Sequence, residues 1–452
     1  MGAIIMNLQA KLAKLEEVKS ACQTASPARE RITALFDEGT FVEIDGFVAC
    51  GAEGVGVITG YGSVEGSIVY AFSQDVTTMG GAVSRAHAEK IAKLYDLAVK
   101  NGAPVVAIFD SNGAKISEGQ EVLASYQKIL SLSNNLSGVV PQIAVVAGSC
   151  VGISAMMAAS ADIVVMAEDA ELYLTAGTDA SAKAAAESGV AHVICEDAKA
   201  AVLKAREIVS VLPLNNLSIA PISEGADAAP ATIDDTTAPA DLAAAVCDAD
   251  SVIELKAQTG KHIYTALATI GGSTAGVVIV KGALCSCCIR KLTSFVRFCD
   301  SFSLPVVTFV DTEGFKEGTC PGAAASLSAA YADATTAKIA VYTGNVIGAA
   351  GVAFANADIR IAWPTAVISA LEPATAVEFF WHDKLKGAEN TAARRAELEE
   401  EYKDTEASPF EAAKAGMVED IVAPDATRNV LIAALDALAS KRVSRLPKKH
   451  SC

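Results

Sequence analysis

Positive charge is scarce in this 452-residue sequence: 36 lysines and arginines stand against 53 acids, a net charge of −17. That balance excludes a broad nucleic-acid-binding surface, which needs clustered cations to release phosphate counterions. A local basic pocket remains compatible with it. Histidine is scarcer still. The five present (His87, His192, His262, His382 and His450) all lie away from the glycine turns in sequence, so spacing lends no support to a histidine base. There is no P-loop, and Gly51-x-x-Gly54-x-Gly56 runs in the wrong order for a dinucleotide fingerprint. Ser149 and Cys150 lie near a turn, but no G-x-S-x-G nucleophile elbow surrounds them. No secretory leader is expected either: Met1–Met6 is apolar, yet Lys11, Lys14, Glu16, Glu17 and Lys19 follow as on a surface helix.

Eleven cysteines in a chain this long do not make a disulfide scaffold. Cys285, Cys287 and Cys288 cluster, but C-x-C-C lacks a second pair or nearby histidines, so no metal site is expected. The thiols read as reduced and mostly buried, in a cytoplasmic protein. Residues 143–161 and 339–357 are uncharged for about the length of a membrane span. Both are rich in Gly, Ala and Ser and run into Ala-Asp-Ile, which points to a strand, a glycine turn and a packed helix.

Hydrophobic residues make up 52% and charged ones 20%, enough for a large core in two or three domains. The sequence then repeats itself. Leu35–Glu43 matches Val246–Glu254 at an offset of 211. Pro104-Val105-Val106 with Asp110 and Gly113 matches Pro305-Val306-Val307 with Asp311 and Gly314, at 201. Ile143, Gly148, Gly152 and Asp162 match Ile339, Gly344, Gly348 and Asp358, at 196. Three blocks in the same order mark a duplication. The expected domains are 1–223 and 240–452, with 224–239 (EGADAAPATIDDTTAP) as a surface linker.

Each copy alternates short apolar strands (Val105–Phe109, Ile143–Ala147 and Asp162–Ala167; Val306–Val310, Ile339–Tyr342 and Asp358–Ala362) with helical segments. That is an α/β fold with buried, mostly parallel pairing. The turns Gly148–Ile153 and Gly344–Ala349 each lead from a strand into a small-residue helix. Two readings stay open for them. Small residues permit tight packing, or the first N–H groups of the helix receive an oxyanion. Asp110 and Asp311 follow buried strands, where an acid either acts in catalysis or caps the next turn.

Ala28-Arg29-Glu30-Arg31-Ile32 with Leu35–Phe41 resembles the opening of the family of biotin-dependent carboxyltransferases. Val69–Asp75, Gly80-Gly81 and Ala86–Ile91 resemble its most distinctive stretch, and Asp110–Gly119 its D-S-G-G-A-R-I-Q-E-G. Ser188–His192, Arg297–Asp300, Val310-Asp311, Gly314-Phe315 and Ala362–Ala366 also fit, so the likeness spans roughly 28–440. Nearest in kind are the carboxyltransferase subunits of propionyl-CoA and acetyl-CoA carboxylases and of sodium-pumping acyl-CoA decarboxylases.

The resemblance implies two tandem crotonase-like domains, the first for a coenzyme A thioester and the second for biotin. It also implies a hexamer of three dimers, with each active site between the first domain of one subunit and the second domain of its partner. Gly152 and Ile153 would hold the thioester oxygen as an enolate forms; Gly348 and Ala349 would hold the ureido oxygen of biotin. Gly113, Ala114, Lys115 and Phe315 would line the binding sites. No biotin-attachment tetrapeptide or ATP-grasp region is recognisable, so biotin would arrive on a separate carrier protein. A biotin carboxylase or a membrane decarboxylase subunit would be the further partner. The chain departs from the family pattern at Ile153 (usually glycine), Gly344 and Asn345 (arginine and lysine), Asn112 (glycine) and Lys115 (arginine), and after Thr175, where it is shorter. Two alternatives are kept: a biotin-free crotonase-type enzyme using acids such as Glu118 or Glu121, and a non-catalytic hexameric scaffold.

Overall fold

The computed structural model describes residues 2–48, 54–229 and 232–443, so Gly51, His450 and the expected domain's last nine residues lie outside the described residues. The chain divides into two compact units, Met1–Ile219 and Ala220–Cys452.

Unit 1 opens with a helix, Gly2–Cys22, whose residues 7–17 are all exposed. Its eight-stranded sheet contains β1 (Val42–Ile44), β2 (Val57–Val64), β3 (Ser67–Gln74), β4 (Val105–Ser111), β5 (Gln142–Val151), β6 (Ile163–Ala167), β7 (Glu171–Tyr173) and β8 (Val193–Cys195). The order is β1-β2-β3-β4-β5-β6-β8, with β7 beside the far end of β5. Pairing is antiparallel from β1 to β3 and parallel from β3 onward. All seven residues of β4 are buried, as a strand covered on both faces requires.

Unit 2 repeats the plan with β9 (Ile253–Glu254), β10 (Ile263–Ile270), β11 (Ser273–Lys281), β12 (Val306–Thr312), β13 (Lys338–Ile347), β14 (Ile359–Ala362), β15 (Val367–Ser369) and β16 (Asp420–Ile421). The order is β9-β10-β11-β12-β13-β14-β16, with β15 beside β13. Trp363, fully buried, donates its indole N–H to Thr427 at 2.9 Å. The duplicated α/β architecture is the expected one.

The duplication persists to individual hydrogen bonds. Asp37 accepts the N–H groups of Glu65 and Gly66 in the β2–β3 hairpin, and Arg206 bonds both Asp37 and the Leu35 carbonyl. In unit 2, Asp248 accepts from Gly271 and Gly272, and Arg428 bonds Asp248 and the Val246 carbonyl. Each unit thus ties its hairpin to its last long helix.

Three expectations need adjustment. First, β5 and β13 run on through Gly148 and Gly344, because β7 and β15 pair with their far ends. These glycines sit where strand register shifts, against the carboxylates of Asp110 and Asp311; an added Cβ would lie 2.2 and 2.4 Å from those oxygens. Second, the expected linker is tied down. Ala226 O accepts from Arg428, Asp235 O and Thr237 O accept from Lys281, and Ile233 is buried. Residues 230–231 of it lie outside the described residues.

As expected, residues 143–161 and 339–357 are strand, turn and seven-residue helix. Among the described residues no helix is long and apolar enough to cross a membrane. Third, Cys22 is disulfide-bonded, so the reading of reduced thiols holds only for the eight other described cysteines; four of these are buried.

Candidate active site

β4 and β5 are parallel neighbours, so the segments leaving their ends meet. Ser111 pairs with Cys150, and an added Cβ on Gly113 would lie 3.3 Å from Val151. Gly113 is thereby brought against the residue that precedes Gly152, with Ala114 and Lys115 next along its loop, at the strand ends where open α/β sheets bind ligands. In unit 2, Thr312 pairs with Val346, so the loop that carries Phe315 and the turn at Gly348 and Ala349 leave neighbouring strand ends.

At both strand ends the chain makes the same sharp turn. Gly152 has φ +60° and Gly348 φ +56°, values that strain any residue with a Cβ. A Cβ on Gly152 would meet nothing within 4 Å, so the space over that turn is open. One on Gly348 would lie 3.3 Å from the Ala370 carbonyl. Helices Ile153–Ala159 and Gly348–Phe354 follow.

The donor expected at Gly152 is corrected. Its N–H bonds the Tyr173 carbonyl at 2.9 Å, because β7 runs alongside β5 as far as Val151. Ile153 is then the first residue whose N–H has no partner one turn back. Behind it, Tyr126 and the buried Ser154 hydrogen-bond at 3.2 Å and fix the helix's first turn.

The preceding loops are braced identically in both units. Val83 N–H donates to Gly113 O (2.8 Å), and Lys115 N–H donates to Val83 O (2.9 Å). Leu284 does the same with Gly314 O and Lys316 N–H, each at 2.9 Å. Alternation along an extended chain directs the intervening N–H, on Ala114 and on Phe315, to the opposite side. Ala114 is exposed and Phe315 half-buried. Lys115 lies 3.9 Å from Glu118, whose other oxygen accepts the Arg85 N–H at 2.7 Å. Glu118 is therefore a capping acid, and Glu121 is an exposed one 4.0 Å from Arg85.

Other candidates prove structural. Asp110 bonds Arg31 at 2.6 Å, and Asp311 accepts the Asn345 N–H at 2.8 Å. Burial pushes the Cys150 thiol far up, which disqualifies it as a nucleophile. His87 is fully buried. Its Nδ1 lies 3.1 Å from Val55 O and its Nε2 3.3 Å from the Gln74 amide, whose oxygen accepts the Asp110 N–H. Burial lowers its pKa to about 3, so the ring is neutral and orients the end of β4. His192 and Asp300 similarly accept backbone N–H groups, of Val164 and of Thr335 and Thr336. Tyr126, Ser154 and Tyr173 carried no signal in the sequence.

The carboxyl transferase domain family matches residues 23–452. The chain belongs to that family. This carboxyltransferase is 34% identical to the methylmalonyl-CoA decarboxylase α subunit of Propionigenium modestum, over 94% of this chain and 92% of that one. It is 36% identical to the mitochondrial propionyl-CoA carboxylase β chain of Homo sapiens, over 94% and 87%. Its fold superposes on the transcarboxylase 12S subunit with a TM-score of 0.89 at 31% identity, covering 98% and 97% of the two chains. That subunit was solved as a hexamer with methylmalonyl-CoA and methylmalonic acid bound. The protein is a carboxyltransferase of the biotin-dependent acyl-CoA type.

Proposed function

We propose that the chain moves a carboxyl group between carrier-bound biotin and the α-carbon of a short acyl-CoA, as one subunit of a carboxylase or decarboxylase. Supporting this reading is one observation above all: a family member carries the same left-handed glycine turn twice, at Gly152 and at Gly348. Residues 1–223 act on the thioester, 240–452 receive biotin, and 224–239 join them. The relatives make methylmalonyl-CoA the first substrate to try and a homo-oligomer, a hexamer by the transcarboxylase precedent, the expected assembly.

In unit 1 the N–H groups of Ile153 and Ala114 hold the thioester oxygen as negative charge develops when the α-carbon loses its carboxyl group. In unit 2 those of Ala349 and Phe315 hold the ureido oxygen. The exposed, small Ala349 leaves room for a ligand to approach the backbone, which fits the group. When bound, biotin supplies a nitrogen that accepts or releases the carboxyl group. Fixed donors of this kind each contribute about 3 kcal/mol where charge appears. Ile153 bears an apolar side chain packed on the core of its unit, and it bounds the acyl side of the turn. Lys115, paired with Glu118, is the residue offered to the CoA phosphates.

The test is CO₂ release from malonyl-, methylmalonyl- and glutaconyl-CoA, with and without a biotinylated carrier. Biotin-dependent release that avidin blocks supports the reading and names the acyl group. Thioester binding without any turnover would overturn it in favour of a scaffold.

A further inference from the structure

Apart from the carboxyl-transfer turns, the start of helix Ser286–Ser301 gathers three thiols. Cys285 is its N-cap residue, and the Cys285 sulfur accepts the Cys288 N–H at 3.5 Å. The sulfurs of Cys285 and Cys288 are hydrogen-bonded at 3.3 Å, and those of Cys285, Cys287 and Cys288 all lie within 4.8 Å of one another. Cys285 is half-buried, Cys287 exposed and Cys288 buried.

The duplication supplies an internal control. In unit 1 the equivalent N-cap of helix Arg85–Asn101 is Ser84, whose oxygen accepts the His87 N–H at 3.2 Å. Both caps follow the bracing residue, Val83 or Leu284, and both helices carry a buried lysine, Lys90 or Lys291, bonded to a backbone carbonyl. Capping alone therefore asks only for an oxygen. Sulfur accepts at longer range, and capping does not explain a second sulfur 3.3 Å from the first.

A C-x-x-C pair opening a helix in an α/β domain is the arrangement that performs thiol–disulfide exchange. We propose that Cys285 and Cys288 are a redox-active dithiol that exchanges with low-molecular-weight disulfides, Cys285 attacking and Cys288 resolving. The two thiols are set apart as those roles require. Burial raises the Cys285 pKa, but hydrogen bonds from Cys287 and Cys288 outweigh it and leave the value at about 7. Burial pushes Cys288 up to about 11.

In the first step the Cys285 thiolate attacks one sulfur of the small disulfide, whose S–S bond breaks to release one thiolate. Cys288 then gives its proton to that thiolate, directly or through solvent, and attacks Cys285. A new S–S bond forms and the second small thiol leaves as its thiolate, to be protonated by solvent. Two protein thiols are oxidised and one external disulfide is reduced. Leu284, next to Cys285, is the residue that braces Gly314 and Lys316 on either side of Phe315, so the exchange happens one residue from that brace.

The full chain is equilibrated in mixtures of glutathione and glutathione disulfide, quenched in acid, alkylated and mapped by mass spectrometry. The expected product is an intramolecular Cys285–Cys288 disulfide. Cys288→Ser traps one glutathione on Cys285. Cys285→Ser, which installs the residue type that caps the helix of unit 1, forms neither product while keeping its fold. Glutathione landing on the exposed Cys287 or Cys320 while Cys285 and Cys288 stay reduced would overturn the proposal. So would zinc or copper(I) binding that protects all three clustered thiols and leaves no disulfide to form.

Discussion

Gly152 and Gly348 do the same thing in both units: each turns a strand end into a helix start through a left-handed conformation. An alanine at either place strains the backbone by about 1–3 kcal/mol and displaces the following N–H. Gly152→Ala and Gly348→Ala should each stay folded and lose about 10²-fold in turnover. Steady-state kinetics beside a melting curve checks this; unchanged turnover in both would remove the turns from the mechanism. Asp162 invites a second test. It accepts the Gln142 N–H at 2.8 Å, as Asp358 accepts that of Lys338, but Asp358 also has Lys441 at 2.8 Å. Burial pushes the Asp162 pKa up to about 7. The folded state therefore keeps a proton that the unfolded chain has lost, and stability falls as pH rises from about 4 through 7. Asp162→Asn removes that slope. The variant should gain about 4 kcal/mol on wild type at pH 8 and nothing at pH 4. An equal difference at both pH values would refute the assignment.

The Asp–Arg ties make a prediction about elements. The Asp248 side chain is 3% exposed against 28% for Asp37. Although burial raises the Asp248 pKa, the Arg428, Thr269, Gly272 and Gly271 donors hold it below the usual value. Arg428→Ala should cost unit 2 about 3 kcal/mol, and Arg206→Ala should cost unit 1 about 1 kcal/mol. Hydrogen exchange resolved by unit measures both; equal losses would contradict the burial argument. The Asp248 contribution is present above about pH 4 and is lost as pH falls through the depressed value. These ties also mark what a linear reading can reach. The motif blocks were legible because each contains the residues that repeat: Asp37 with Asp248, Gly113 with Gly314, Gly152 with Gly348. The strands' run past Gly148 and Gly344 was not, since partners more than twenty residues later, β7 and β15, create it. For the same reason the engagement of the Gly152 N–H by Tyr173 was hidden, and so was the tying of 224–239 to Lys281 and Arg428. The distinctive residues Gln74, His87 and Trp363 could be read as family marks; only packing shows that they orient β4 and anchor the last helix.

For the whole molecule, the proposed function gives the two units one solution to two problems, holding a thioester oxygen and holding a ureido oxygen with backbone donors. On that proposal no outstanding histidine or acid is needed. On it too, Ile153, where the family usually has glycine, alters the acyl side of the turn and leaves the donor in place. The most direct measurement follows the carboxyl group itself. Methylmalonyl-CoA labelled with ¹³C in its free carboxyl group is mixed with the protein and a biotinylated carrier, and the carrier is isolated and weighed by mass spectrometry. The account predicts label on the carrier, matched by propionyl-CoA and abolished by avidin. Propionyl-CoA formed equally well without biotin, or thioester bound with no label transferred, would contradict it.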